Sequence, residues 1–262
     1  MSALVLENGV AHYEYFGRGR PLVFIHGWLG SWRYWVPAMD ALSEYYRVYA
    51  IDLWGFGDSA KPQNHYSVDS YVRLLTSFIR ELGIMGPIPL VGHALGAAVA
   101  ISFALEHPEE TDRVMAVSLP SVDDSINQRF LSGGASILDR VLGRSPTAGY
   151  DDVEKEARRT APEAIAQSIE SVIHTNVQNR LSDLRIPLLI VHGDQDNVVA
   201  PLHEAYVSGL GKLARMMIIP GCRHFPMLDR SSQFNRLLLD FIESKDDLGS
   251  LELKDEWQRR IR

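Results

Sequence analysis

Six stretches of the chain carry residues able to do chemistry, and each comes just after a short apolar run. They are His26-Gly27-Trp28, the loop from Asp52 to Ser59, Gly92-His93-Ala94-Leu95-Gly96, Asp123-Asp124, His192-Gly193-Asp194-Gln195-Asp196, and Gly221-Cys222-Arg223-His224-Phe225-Pro226. The third has the most specific layout. Ile88 to Val91 runs into two glycines placed either side of position 94, and a small-residue helical run follows at once. This is the pattern of a strand, sharp turn and helix that presents a nucleophile, a Gly-x-Ser-x-Gly elbow. Both flanks need glycine because the turn and the close helix–strand packing leave no room for a Cβ. The central residue is nevertheless Ala94, which has no oxygen to attack with.

Periodicity supplies the elements that must hold these stretches. Leu4-Val5-Leu6 and the alternating segment Val10 to Phe16 flank Asn8-Gly9, a two-residue hairpin signal. Apolar runs place strands near 22–25, 47–51, 88–91, 114–119, 187–191 and 216–219. Helices are expected at about 32–44, from a cap at Ser67 through Leu82, after the elbow to a stop before Pro108, near 201–208, and at 231–243. Continuous apolar strands alternating with amphipathic helices mean a mostly parallel sheet covered on both faces. From 122 to about 184 that rhythm breaks into helical patterns without a convincing strand. Here Thr160-Ala161-Pro162-Glu163 has capping-box spacing, and Ile165, Ile169, Val172 and Ile173 mark one apolar face. The organisation expected is a core of residues 1–121 and 185–243, an inserted helical cap of 122–184, and a charge-rich tail of 244–262. The tail reads as loosely docked or as a partner contact.

Composition removes several classes of function. The 262 residues are 46% hydrophobic and 23% charged, which suits a single α/β domain with a sizeable core. A formal charge of −7, with no basic run, argues against a nucleic-acid partner. Cys222 is the single cysteine, so there is no internal disulfide and no thiolate metal cluster. No histidine–carboxylate group has metal-ligand spacing, and no phosphate-binding glycine loop of either common type is present. The N-terminus lacks the basic and apolar segments of a signal peptide, and no apolar run approaches the roughly 18 residues that span a bilayer. The expectation is a cytoplasmic protein with no membrane contact and no metal. Its oligomeric state is not legible.

Taken in chain order, the motifs resemble those of the α/β-hydrolase superfamily, near its small capped carboxylesterase and carbon–carbon hydrolase branch, over roughly residues 10–243. The resemblance implies the α/β-hydrolase fold, no cofactor, and a small ester, acyl or carbon–carbon substrate with an apolar group. Carried over position by position, Ala94 stands at the nucleophile, Asp196 matches the acid and His224 the general base. The backbone amides of Trp28 and Leu95 match the oxyanion hole. Trp28, Ile165, Ile169 and Phe225 are expected to line the substrate pocket. Asp123 and Asp124 are the fallback acids, because some relatives place the acid after the earlier strand. Asp194, Asp58 and Ser59 are read as shaping loops, and His26 and His93 as bracketing the turns. Trp32, Tyr34 and Trp35 either line an acyl pocket or pack in a helix core. A dehalogenase would need Asp at 94.

Ala94 leaves three readings. The natural protein is a serine hydrolase and this chain carries a deliberate Ser→Ala change, so it is inactive or strongly impaired. Alternatively the alanine is natural, and the His224–Asp196 pair performs base chemistry without a covalent step, as in decarboxylating or cofactor-free oxygen-using members of the superfamily. In the third, the protein is a non-catalytic member that binds a ligand or partner. The complete acid–base pair favours the first, because drift after loss of function would spare none of it.

Overall fold

The computed structural model describes residues 2–120, 150–245 and 248–254. Asp123, Asp124 and the sequence breaks at Ser132-Gly133-Gly134 and Ser145-Pro146-Thr147 lie outside the described residues. Eight strands form one sheet: β1 (Ser2–Leu6), β2 (Gly9–Phe16), β3 (Arg20–Ile25), β4 (Tyr46–Ile51), β5 (Ile88–His93), β6 (Thr111–Val117), β7 (Leu188–Gly193) and β8 (Ala214–Ile219). Their order is β1-β2-β4-β3-β5-β6-β7-β8. Only β2 runs against the rest, pairing antiparallel with β1 and β4; every pairing from β4 to β8 is parallel. This is the α/β-hydrolase fold.

The helices that matter for the site are α1 (Val36–Leu42), α2 (Val68–Glu81), α3 (Leu95–Glu106), α4 (Tyr150–Arg159), α5 (Pro162–Thr175), α6 (Glu204–Ser208), α7 (Pro226–Asp229) and α8 (Ser231–Glu243). Helix α3 is buried on all sides from Leu95 to Ala104, which is why its sequence is apolar and small throughout rather than amphipathic. Ser67 caps α2 as expected, its hydroxyl accepting from the Ser70 amide at 3.2 Å. Helices α4 and α5 fall between β6 and β7, and no strand occurs among the described residues of that stretch. α5 packs on α2 and α3, burying Ile169 and Val172, with Ile165 and Ile173 half-buried beside them.

Several local expectations are corrected. The hairpin turn is Glu7-Asn8, since Gly9 already pairs with Leu6. Gly9 serves close packing instead: a Cβ there would lie 2.6 Å from that of Ala60. The segment after Ser31 opens as a 3-10 turn, Trp32–Trp35, before α1. Pro37 lies in the first turn of α1, the one place in a helix where its missing N–H costs nothing. The capping box at Thr160 does not form. The Thr160 hydroxyl turns back to the Glu156 carbonyl at 3.0 Å, and Ala161 occupies the cap without a side-chain bond. The described part of the tail is docked: Leu248 and Leu251 are buried, and Arg215 donates to the carbonyls of Leu248 and Gly249.

No helix among the described residues is long and apolar enough to cross a membrane.

Candidate active site

The elbow forms where the glycines put it. Ala94 has φ +48° and ψ −110°, a conformation that L-residues rarely adopt and that costs roughly 1–3 kcal/mol unless its surroundings enforce it. Here they do. The Ala94 amide donates to the Val117 carbonyl at 2.8 Å, pinning the turn to β6. A Cβ on Gly92 would fall 2.2 Å from the Gly96 carbonyl oxygen, and one on Gly96 would fall 2.2 Å from that of Ile25. The turn, the start of α3 and the end of β3 are therefore in backbone contact. The Leu95 amide opens α3, where the first N–H groups of a helix have no internal partner.

The loop after β3 approaches the elbow from one side. A Cβ on Gly27 would stand 2.9 Å from that of Ala94, so only glycine fits. His26 sets the plane of the next peptide. Its Nε2 accepts from the Leu53 amide at 2.9 Å, so Nδ1 carries the proton and donates to the Gly27 carbonyl at 2.8 Å. In a trans peptide the carbonyl and the following N–H point in opposite directions, so this bond also aims the Trp28 amide. Burial holds the His26 imidazole neutral by lowering its pKa. The Trp28 indole donates from Nε1 to the Ser168 hydroxyl of α5 at 2.9 Å, which ties the same loop to the helices between β6 and β7.

Asp196 and His224 are 28 positions apart in the chain and meet in space: His224 Nδ1 lies 2.9 Å from Asp196 Oδ2. Asp196 takes three further bonds. Ser118 Oγ donates to Oδ2 at 2.8 Å, and the amides of Val198 and Val199 donate to Oδ1 at 2.9 and 3.0 Å. Burial alone would raise this carboxyl. The charge and hydrogen bond of His224, with the two amides, outweigh it and hold Asp196 well below the usual carboxylate range. An ionised Asp196 in turn requires the proton of His224 on Nδ1, leaving Nε2 as the basic nitrogen. Ser118 was not anticipated. It follows β6 with φ +48°, a geometry that no composition signal in Ser118-Leu119-Pro120 announces.

The other candidates divide clearly. Asp194 shapes its loop by accepting from the Gly221 amide at 2.7 Å. Trp35 is core, stacked on Phe24 at 4.6 Å, and Trp32 lies beside His12 and Arg33. Phe225 is fully buried among Tyr34, His93, His224 and Tyr150. His192 is fully buried next to the pair, and neither of its nitrogens has a hydrogen-bond partner among the described residues; burial pushes its pKa down to about 4.

Asp52 anchors the loop that follows β4. It accepts from the Trp32 and Asp58 amides at 2.7 and 2.9 Å and lies 3.0 Å from His12 Nδ1. His12, Asp52 and Asp58 bring ligand atoms within 4.8 Å of one another, a grouping that sequence spacing did not show. Their oxygens are already engaged, however: Asp58 pairs with Arg33 at 2.8 Å and with Arg159 of α4 at 2.5 Å. Glu156 joins the same two arginines at 3.5 and 3.0 Å. The cluster is an ion-pair hub that fastens α4 to the sheet loops, not a cation cage.

Comparison with known proteins identifies the family. The sequence matches the family model described as "Alpha/beta hydrolase family" over residues 22–237. It is 28% identical to 2-hydroxy-6-oxo-6-(2'-aminophenyl)hexa-2,4-dienoic acid hydrolase of Metapseudomonas resinovorans, covering 88% of this chain and 87% of that one. It is 26% identical to pimeloyl-[acyl-carrier protein] methyl ester esterase of Aeromonas hydrophila, covering 87% and 98%. Among solved structures, a serine-to-alanine mutant of the meta-cleavage product hydrolase from Pseudomonas fluorescens IP01, complexed with acetates, superposes with a TM-score of 0.74. It shares 23% identity over 92% of this chain and 97% of that one.

Proposed function

The chain belongs to the α/β hydrolase family, and from that premise we propose that its site is built to hydrolyse a carboxylic ester or a related acyl substrate through a nucleophile at position 94. The observation that carries this reading is the complete Asp196–His224 pair, set beside an elbow that holds its bend although the oxygen is missing. In the working form a serine at this position attacks the carbonyl carbon while His224 Nε2 takes its proton. The amides of Trp28 and Leu95 receive the negative oxygen, a contribution of roughly 10²–10³ in rate for each such donor. His224 returns the proton to the leaving alcohol, and water then releases the acid by the same steps.

Ala94 stops the first of these steps. Loss of the serine from such a machine costs on the order of 10⁶ in kcat, so the chain as it stands is an inactive form whose binding and oxyanion groups are intact. We read it as a serine hydrolase carrying a Ser→Ala change. Its relatives include an ester hydrolase and a hydrolase of a dienoic acid, so acyl and carbon–carbon substrates both fit the reading. Residues 122–184 are read as the cap. Of the four residues expected to line the pocket, Trp28, Ile169 and Phe225 are buried against the protein itself, and Ile165 is the one left half-buried to face an apolar substrate group.

Restoring the nucleophile with Ala94→Ser and assaying short p-nitrophenyl esters tests the proposal. The expected gain is about 10⁴–10⁶ over the alanine form, abolished by adding His224→Ala. No gain with a folded protein sinks it. The second reading, base chemistry by His224 without a covalent step, is favoured by the same pair because Nε2 stays basic without a hydroxyl beside it. It requires proton abstraction or decarboxylation by the unaltered chain that disappears in His224→Ala.

A further inference from the structure

We propose that Tyr34 and His93 form a positioning relay that locks the oxyanion loop to the loop bearing the general base, so that the two reach working geometry together. The inference rests on the acyl-transfer reading above. Three hydrogen bonds make the relay. The Gly27 amide donates to Tyr34 Oη at 2.6 Å, Tyr34 Oη lies 3.0 Å from His93 Nδ1, and His93 Nε2 lies 2.8 Å from the His224 carbonyl oxygen. It joins the loop that carries Trp28, the residue that precedes Ala94, and the backbone of the base itself.

One proton arrangement satisfies every atom. A carbonyl only accepts, so His93 Nε2 carries the hydrogen and Nδ1 offers its lone pair. Tyr34 already accepts from Gly27, so its single hydrogen goes to His93 Nδ1. All the donors then point one way, from Gly27 to His224, and such chains polarise one another. Burial keeps both members in these states. It raises the Tyr34 hydroxyl well above the usual phenol range and, helped by the neighbouring charge of His224, pushes His93 well below the usual imidazole range.

Ring packing supports the same arrangement. The Tyr34 ring stands edge-on to His93, at 90° and 5.6 Å between centroids, and at 75° and 5.4 Å to Phe225. The rings of His93 and His224 are 4.6 Å apart. An apolar residue at 93 would fill the same space but leave the His224 carbonyl and the Tyr34 hydroxyl without these partners. The relay also commits the Gly27 amide, which removes it from the candidate oxyanion donors of this loop. Because a displacement of about 1 Å can cost 10²-fold in rate, a bond tying the oxyanion loop to the base loop acts on the chemical step and not only on folding.

Tyr34→Phe removes one oxygen and keeps the ring. In the Ala94→Ser protein it is expected to lower kcat about 10–100-fold with KM unchanged within about twofold. Glutamine carries an acceptor and a donor at nearly the spacing of the two imidazole nitrogens, so His93→Gln should retain most of the activity that His93→Phe loses. Loss of stability alone, with kcat intact in folded Tyr34→Phe and His93→Phe, overturns the proposal. Nitrogen NMR of the unaltered chain tests the relay apart from turnover. His93 should be the Nε2–H tautomer, with an Nδ1 signal that moves in Tyr34→Phe; an Nδ1–H tautomer overturns the relay even if Ala94→Ser hydrolyses esters. Absence of hydrolysis in Ala94→Ser with the expected tautomer defeats the acyl reading, and with it the catalytic role of the relay, while the hydrogen-bond assignment stands.

Discussion

Replacing Asp196 by asparagine should move the proton on His224, and the structure dictates in which direction. The carboxylate accepts four hydrogen bonds, two on each oxygen. An asparagine keeps one acceptor and places an NH2 group where the other was. If that NH2 faced the amides of Val198 and Val199, two buried donors that cannot turn would go unpaired, at about 1–3 kcal/mol each. The opposite orientation is cheaper. Ser118 can swing its hydroxyl towards the His224 carbonyl, 3.4 Å away, and accept from the new NH2. His224 cannot present an N–H to an NH2, so its proton moves from Nδ1 to Nε2. The basic nitrogen then has no lone pair for the nucleophile, a defect worth about 10⁴ in kcat where the same exchange has been made in a serine protease.

Stability should fall by about 1–3 kcal/mol as charge-assisted bonds become neutral ones. The pH dependence follows from the direction of the Asp196 shift. Its folded carboxyl lies below the unfolded value, so its stabilising contribution is complete above the ordinary carboxylate range and is lost progressively as pH falls below about 4. The Asp196→Asn curve should be flatter through that limb. Urea unfolding at several pH values and nitrogen NMR of His224 can be run on the chain as it stands, and hydrolysis in the Ala94→Ser background. A His224 that keeps its Nδ1 proton, or hydrolysis within tenfold of the parent, would refute the reasoning.

Two further outcomes follow from burial and bonding. Ser168→Ala removes the acceptor of the Trp28 indole and should cost about 1 kcal/mol in urea unfolding. In the Ala94→Ser protein it should also lower kcat several-fold, and an unchanged value for both would break the link drawn between α5 and the oxyanion loop. The buried Cys222 thiol is pushed up to about 12, chiefly by burial and then by the Asp229 charge, so it should ignore an aromatic disulfide reagent at pH 8 until the protein is unfolded. Rapid labelling of the native protein would contradict that.

What the sequence revealed and what it concealed follow one physical line. Gly92 and Gly96 announced the elbow because backbone contact at 2.2 Å excludes every other residue. Asp196 and His224 were readable because each follows an apolar strand at the sheet's carboxyl end. Strand starts were read late where polar residues interrupt the apolar run. Arg113 is buried in β6, its guanidinium satisfied by the carbonyls of Phe241 and Ser244, and Arg215 near the start of β8 holds the docked tail. Ser118 and Tyr34 were out of reach for another reason. Their roles depend on partners 78 and 59 positions away, and a serine or tyrosine carries no local mark of such a bond. Thr160 misled for the converse reason: spacing showed an available cap but not the competing carbonyl of Glu156.

The bend at position 94 is imposed from outside, by Val117, Gly27 and the two elbow glycines, and owes nothing to the side chain it displays. In genetic terms the consequence is direct. Four of the serine codons differ from alanine codons only in their first base, so a single transversion separates this chain from one bearing a serine hydroxyl at that position. No compensating change elsewhere in the gene is needed to receive it. A library made by low-rate random mutagenesis and grown on an ester that releases the sole carbon source should therefore return colonies whose lesion lies in that one codon.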